Sequence, residues 1–128
     1  MNKAQKVVIV FFIISIVVIA GLYIYYNHLL KSKKVLEIKD NTLFYSLTCP
    51  HCKIVEQFME ENNVTQRINI TQLEVSQNST NAQQLINLGK FCKIESNYIG
   101  AIPLFYSNGS CYLGDTPIIE VLNKIGGL

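Results

Sequence analysis

Residues 7–26 form a run of 20 residues in which Ser15 is the only clearly polar side chain apart from the tyrosine hydroxyls. As a helix rising about 1.5 Å per residue, such a run is roughly 30 Å long, the thickness of a bilayer's hydrocarbon core. Lys3 and Lys6 precede it, and Lys31, Lys33 and Lys34 follow it. Tyr23, Tyr25 and Tyr26 stand where an aromatic belt meets the headgroups. The run predicts a transmembrane helix, with residues 1–30 as an N-terminal membrane anchor and residues 31–40 as a linker. A cleaved signal peptide is the other reading, since Val18 and Ala20 make a passable cleavage site. However, the run is longer than the usual apolar region of a signal peptide and continues past that site. Lysines are nearly balanced on the two sides, so charge alone does not orient the span.

The net charge of +2 hides a division along the chain. Residues 1–34 carry five lysines and no acid, whereas residues 35–128 carry six bases and nine acids, a net −3. The six bases, Lys39, Lys53, Arg67, Lys90, Lys93 and Lys124, are scattered. Nucleic-acid binding needs clustered positive charge, so no nucleic-acid partner is expected. The lysines beside the apolar run read as neighbours of lipid headgroups.

Residues 41–128 are long enough for one small domain. Leu43-Phe44-Tyr45-Ser46 is a short apolar strand ending at the breaker Thr48-Cys49-Pro50. Pro50 suits the first turn of a helix, where its missing N–H costs nothing. That helix runs to about Asn62, with Ile54, Val55, Phe58 and Met59 as its apolar stripe. Residues 67–71 alternate apolar and polar, predicting a half-buried strand. Thr80 and Gln83 have capping-box spacing for a second helix ending near Cys92, with Ala82, Leu85, Ile86 and Gly89 inward. Residues 100–107 and 110–113 flank Asn108-Gly109, a strong hairpin signal. Thr116 and Pro117 can open a last helix carrying Ile118, Val121, Leu122 and Ile125, with Gly126-Gly127 ending it. The order is β-α-β-α-β-β-α. Strands joined through a helix should be parallel with a right-handed crossover, and the hairpin antiparallel. The expectation is an α/β fold with a small mixed sheet and helices on both faces, preceded by one transmembrane helix.

Cys49-Pro50-His51-Cys52 falls at the strand-to-helix junction of a β-α-β unit, the usual context of a redox Cys-x-x-Cys pair. Unpaired N–H groups and the positive end of the helix dipole favour a thiolate at Cys49. His51 adds to this if protonated or donating a hydrogen bond. The thiolate is the nucleophile of disulfide exchange, and Cys52 lies one helical turn away, within reach to close the bridge.

The segment Phe44-Tyr45-Ser46-Leu47-Thr48-Cys49-Pro50-His51-Cys52 resembles the active-site strand and turn of the DsbA-like disulfide oxidases. It is also similar to the thioredoxin-like domains fused to vitamin K epoxide reductase homologues. Phe91-Cys92-Lys93, Ala101-Ile102-Pro103-Leu104-Phe105 and Asn108-Gly109 resemble the second half of the same domains, so the likeness covers roughly residues 41–126. It implies a thioredoxin-like fold and a cis-proline at Pro103 facing the cysteine pair. It also implies that Ile102 and Pro103 pair with an extended substrate segment, a form of strand addition. Cys-Pro-His-Cys is the oxidising version of the family's site, which favours electron flow from substrate thiols into Cys49–Cys52. A stabilised thiolate makes the disulfide a stronger oxidant. The resemblance departs at one position: the family's buried acid, six residues before the first cysteine, is replaced by Leu43.

Cys92 and Cys111 admit three readings: a structural disulfide, two buried apolar thiols, or an accessory redox pair. A bridge closing about 20 residues is worth roughly 3 kcal/mol of chain entropy. A zinc site built on Cys49, Cys52 and His51 with Cys92 or Cys111 lacks the second paired knuckle that such sites usually show. No metal or other cofactor is expected. Asn63, Asn69, Asn78 and Asn108 each open an Asn-x-Ser/Thr sequon, which permits glycosylation without showing it.

The expected activity is that of a thiol–disulfide oxidoreductase, anchored through residues 7–26, whose C-terminal domain lies outside the cytoplasm because disulfides persist in oxidising compartments. Its expected partners are cysteine-containing exported proteins. The resemblance adds a quinone-linked membrane partner that reoxidises the pair. A reductase or isomerase fed by a membrane electron carrier is the neighbouring reading; a reduction potential near about −270 mV would mark it. A non-catalytic metal-binding module is the alternative from another class, marked by stoichiometric metal lost with Cys49→Ser.

Overall fold

The computed structural model describes residues 2–35 and 38–127. The chain divides into two units, Met1–Glu37 and Ile38–Leu128.

The first unit is one helix, α1 (Lys3–Val35, 33 residues). Its large apolar side chains from Val7 to Leu29 are all exposed. It is long and apolar enough to cross a membrane. The helix runs past residue 30 into the segment expected to be a linker. Leucine and lysine are good helix formers, and no glycine or proline interrupts residues 27–35. The second unit starts at Ile38, slightly before the expected boundary at residue 41. Ile38 packs on the core, the Thr42 hydroxyl donates to the Lys39 carbonyl at 2.7 Å, and the Asn108 amide donates to the Asp40 carboxylate at 2.6 Å.

The second unit is an α/β domain with a four-stranded mixed sheet in the order β2-β1-β3-β4. Its elements are β1 (Thr42–Tyr45), α2 (Pro50–Glu61), α3 (Val64–Arg67), β2 (Thr71–Glu74), α4 (Ser79–Phe91), a 3-10 turn (Ser96–Tyr98), β3 (Leu104–Ser107), β4 (Ser110–Leu113) and α5 (Asp115–Gly126). β1 and β2 are parallel; β1–β3 and β3–β4 are antiparallel.

The two central strands are buried on both faces, which sets a three-layer arrangement. Leu43 of β1 sits opposite Phe105 of β3, and Phe44 sits opposite Leu104. Alternation of side chains along a strand sends these two pairs to opposite faces. Leu43 and Phe105 join Val55 and Met59 of α2, Val64 of α3, and Ile118, Val121 and Leu122 of α5. Phe44 and Leu104 join Leu85 and Leu88 of α4. Each such side chain, fully removed from water, stabilises the fold by about 1.5–3 kcal/mol.

Four local expectations need correction. The strand expected at residues 67–71 begins at Thr71, where the Thr71 amide meets the Asn41 carbonyl at 2.9 Å. Ile68 and Ile70 do pack on the core, but Val64 is drawn in by a separate helical turn that opens at Asn63 with φ 49°. The alternation there reports burial and not strand pairing. In α2 the buried line is Cys52, Val55 and Met59, and Ile54 is exposed; at 3.6 residues per turn Ile54 lies about 130° from the middle of that line. The cap of α4 is Asn78, whose Oδ1 accepts from the Thr80 and Asn81 amides at 3.0 and 3.1 Å, so Thr80 lies inside the helix. The last helix is preceded by Gly114 at φ 92° in place of a Thr116 cap. Asn108 (φ 49°) and Gly109 (φ 76°) form the expected two-residue turn with left-handed backbone.

Candidate functional site

The site is built where β1 runs into α2. After Tyr45 the chain turns through Ser46, Leu47 and Thr48, and the Cys49 amide donates to the Ser46 carbonyl at 3.2 Å. Cys49 keeps extended backbone (φ −84°, ψ 117°) and is the N-cap of α2, with Pro50 opening the first turn. An N-cap side chain usually accepts a hydrogen bond from one of the first free amides of the helix. Here the acceptor is sulfur: the Cys52 amide donates to Cys49 Sγ at 3.2 Å. A sulfur held this way faces the N–H groups and dipole of the helix terminus.

The two thiols differ in their surroundings. Cys49 is partly exposed, whereas Cys52 is fully buried, and both are unbridged. Burial pushes the Cys52 thiol up to about 12; its hydrogen bond with Cys49 adds to this, and a main-chain bond from Ser46 opposes it. Leu43, six residues before Cys49, is 1 % exposed and packed among apolar side chains. No carboxylate at that position can take a proton from Cys52.

The loop before β3 closes the site from the other side. Ile102 is partly buried, Pro103 is fully buried, and the bond between them is cis. Cys49 Sγ lies 3.9 Å from the Ile102 carbonyl oxygen, to which the thiol donates. The Pro103 carbonyl accepts from the Gly114 amide at 2.9 Å, tying the proline loop to the start of α5. Cys49, Pro50, His51, Cys52, Ile102 and Pro103 are thus brought together from two segments about 50 residues apart in sequence.

His51 is exposed on the first turn of α2, and its Nδ1 lies 2.8 Å from Asp115 Oδ2 at the start of α5. The hydrogen bond from His51, followed by one from the Thr116 amide, holds the Asp115 carboxyl below the usual carboxylate range. Asp115 is the site residue that sequence reasoning does not reach. It is 64 positions from His51, and only the packing of α5 beside α2 brings the two together.

Cys92 and Cys111 form a disulfide, with Cα atoms 6.1 Å apart, between the end of α4 and β4. Both join the core on the α4 face of the sheet. Among the described residues no three His, Cys, Asp or Glu side chains are grouped to hold a metal ion. The arrangement as a whole suits thiol–disulfide exchange: one accessible sulfur at a helix terminus, one buried sulfur a turn away, and a carbonyl beside the first. No family model matches the chain, and no curated protein or solved structure matches it either.

Proposed function

We propose that the protein is a membrane-anchored thiol–disulfide oxidoreductase with a thioredoxin-like domain, which oxidises cysteine pairs in exported proteins. The observation that carries this reading is the position of Cys49: partly exposed, capping α2 through its sulfur, and next to the Ile102 carbonyl, with Cys52 buried behind it.

The chemistry runs through the Cys49–Cys52 disulfide. A substrate thiolate attacks Cys49 Sγ; the Cys49–Cys52 bond breaks, and the electron pair leaves with Cys52, which takes up a proton. A second substrate thiol gives up its proton and attacks the substrate sulfur of the mixed disulfide. The substrate leaves oxidised, and Cys49 leaves as a thiolate. Two electrons pass to the protein, and a quinone-linked membrane partner accepts them to restore the disulfide. The high pKa of Cys52 bears on the lifetime of the mixed disulfide. A protonated Cys52 is a poor nucleophile toward the mixed disulfide, so the intermediate survives until the second substrate thiol arrives.

The Ile102 carbonyl and the loop around it offer main-chain groups to an extended substrate segment. The Cys92–Cys111 bridge supports an oxidising compartment. Together with α1 as a single span, it supports a C-terminal domain on the extracytoplasmic side.

The test is to trap mixed disulfides in cells with Cys52→Ala: its Cys49 thiolate attacks the disulfide of an exported protein in the reverse of the exchange, one substrate sulfur leaves as a thiolate, and no Cys52 is present to release the adduct. A ladder of exported proteins joined through Cys49, collapsed by reductant and lost in Cys49→Ser, is the expected result. A well-expressed Cys52→Ala protein with no adducts refutes the proposal.

A further inference from the structure

The His51–Asp115 contact joins two elements at the site, and the redox chemistry proposed above leaves it unused. The carboxylate is fixed at both oxygens. Oδ1 accepts from the Thr116 amide at 2.7 Å, and Oδ2 faces His51 Nδ1 at 2.8 Å. Asp115 also follows directly on Gly114, whose amide holds the Pro103 carbonyl at 2.9 Å. The path from Cys49 to Ile102, through Pro103 to Gly114 and Asp115, and back through His51 to the first turn of α2, therefore closes a ring beside the accessible sulfur. Each link in it is a hydrogen bond or one to two residues of chain.

An ionised carboxylate can only accept, so the proton between the two groups belongs to the ring nitrogen. With Nδ1 carrying that proton, Nε2 is the nitrogen left free in the neutral ring. A His side chain that is 67 % exposed would otherwise sample several rotamers. On the basis of the proposed redox function, we infer that Asp115 is a positioning residue for the Cys49–Cys52 site. By accepting the Nδ1 proton of His51 it fixes the orientation and tautomer of the imidazole, and thereby shifts the balance between the dithiol and the disulfide.

The balance is read with glutathione. Two glutathione thiols give two electrons and two protons to the Cys49–Cys52 disulfide and join as one disulfide. The full-length protein in detergent is equilibrated with glutathione buffers at neutral pH. Four forms are compared: wild type, Asp115→Asn, His51→Gln and the double variant. Asparagine keeps an oxygen for the Thr116 amide, so the start of α5 is retained.

Asp115→Asn is expected to shift the equilibrium about threefold to fivefold in the wild-type background, a size set by the exposure of the pair. The same change beside His51→Gln is expected to shift it little, because coupled residues are not additive. Equal shifts in both backgrounds overturn the inference, because Asp115 would then act without His51.

A second readout does not depend on redox activity. Nitrogen NMR of the neutral imidazole should show the Nδ1–H tautomer in the wild type and its loss in Asp115→Asn. An Nε2–H tautomer in the wild type also overturns the inference. A wild-type pair that does not exchange with glutathione overturns both the redox function and this role. Normal exchange with an additive cycle removes only the role of Asp115.

Discussion

Cys52 should ionise only at high pH, and the order of events at the site depends on this. Burial is the main cause of its rise from the usual thiol range to about 12. Below pH 9 this leaves Cys52 with about a thousandfold less thiolate than an exposed cysteine, a factor of ten for each unit. In a mixed disulfide at Cys49 the hydrogen bond and charge of Cys49 no longer act on Cys52, but burial, the largest cause, remains. The assay reacts the reduced full-length protein in detergent with an aromatic disulfide that releases a coloured thiolate. The first equivalent reports capture at the accessible Cys49, and the second reports attack by Cys52 on the mixed disulfide. The rate of the second phase should climb about tenfold per pH unit from about pH 6 to about pH 10, because the thiolate is the attacking species. Cys52→Ala should abolish the second phase and leave the first. A second phase that levels off near pH 9 would refute the argument: Cys52 would then be titrating as an ordinary exposed thiol.

Other perturbations test the frame around the site. Phe105→Ala, at a fully buried position opposite Leu43, should cost about 3–5 kcal/mol in denaturant unfolding followed by tyrosine fluorescence. Replacing Cys92 and Cys111 together by serine removes a bridge of sequence separation 19; the loss of about 3 kcal/mol should appear as a lower melting temperature, with glutathione exchange at Cys49–Cys52 retained. Asn78→Ala leaves the Thr80 and Asn81 amides without their cap and should cost about 1 kcal/mol, visible as faster amide exchange in the first turn of α4.

Much of this molecule is legible from local chemistry alone. The apolar run at residues 7–26 lies in a helix although valine, isoleucine and phenylalanine are only middling helix formers in water; in an apolar medium the helix is the form that satisfies every backbone group within the segment, and the bare apolar surface is a property of the residues themselves. The junction at Cys49-Pro50 is equally local. Proline suits the first turn of a helix, and the residue before it is pushed to extended backbone, which is the N-cap geometry Cys49 adopts. Asn108-Gly109 fixes the hairpin because both residues tolerate positive φ.

What the local pattern could not decide was which element each burial signal belonged to. Residues 67–71 alternate because Ile68 and Ile70 touch the core, yet the ladder with β1 starts at Thr71; pairing depends on a partner strand that no short window contains. The line of α2 passes through Cys52 and not Ile54 because α5 and the sheet choose the buried side. The disulfide between Cys92 and Cys111 depends on α4 lying across the sheet near β4, one of three arrangements that spacing alone left open. Asp115 depends on the same kind of fact. A helix at the end of the chain packs beside the helix after the first strand, and only that packing brings a carboxylate to His51. Sequence fixes what each residue can do within a few ångströms along the chain, since backbone geometry is local. Tertiary structure decides which distant groups share a site, because that depends on how the faces of separate elements pack together.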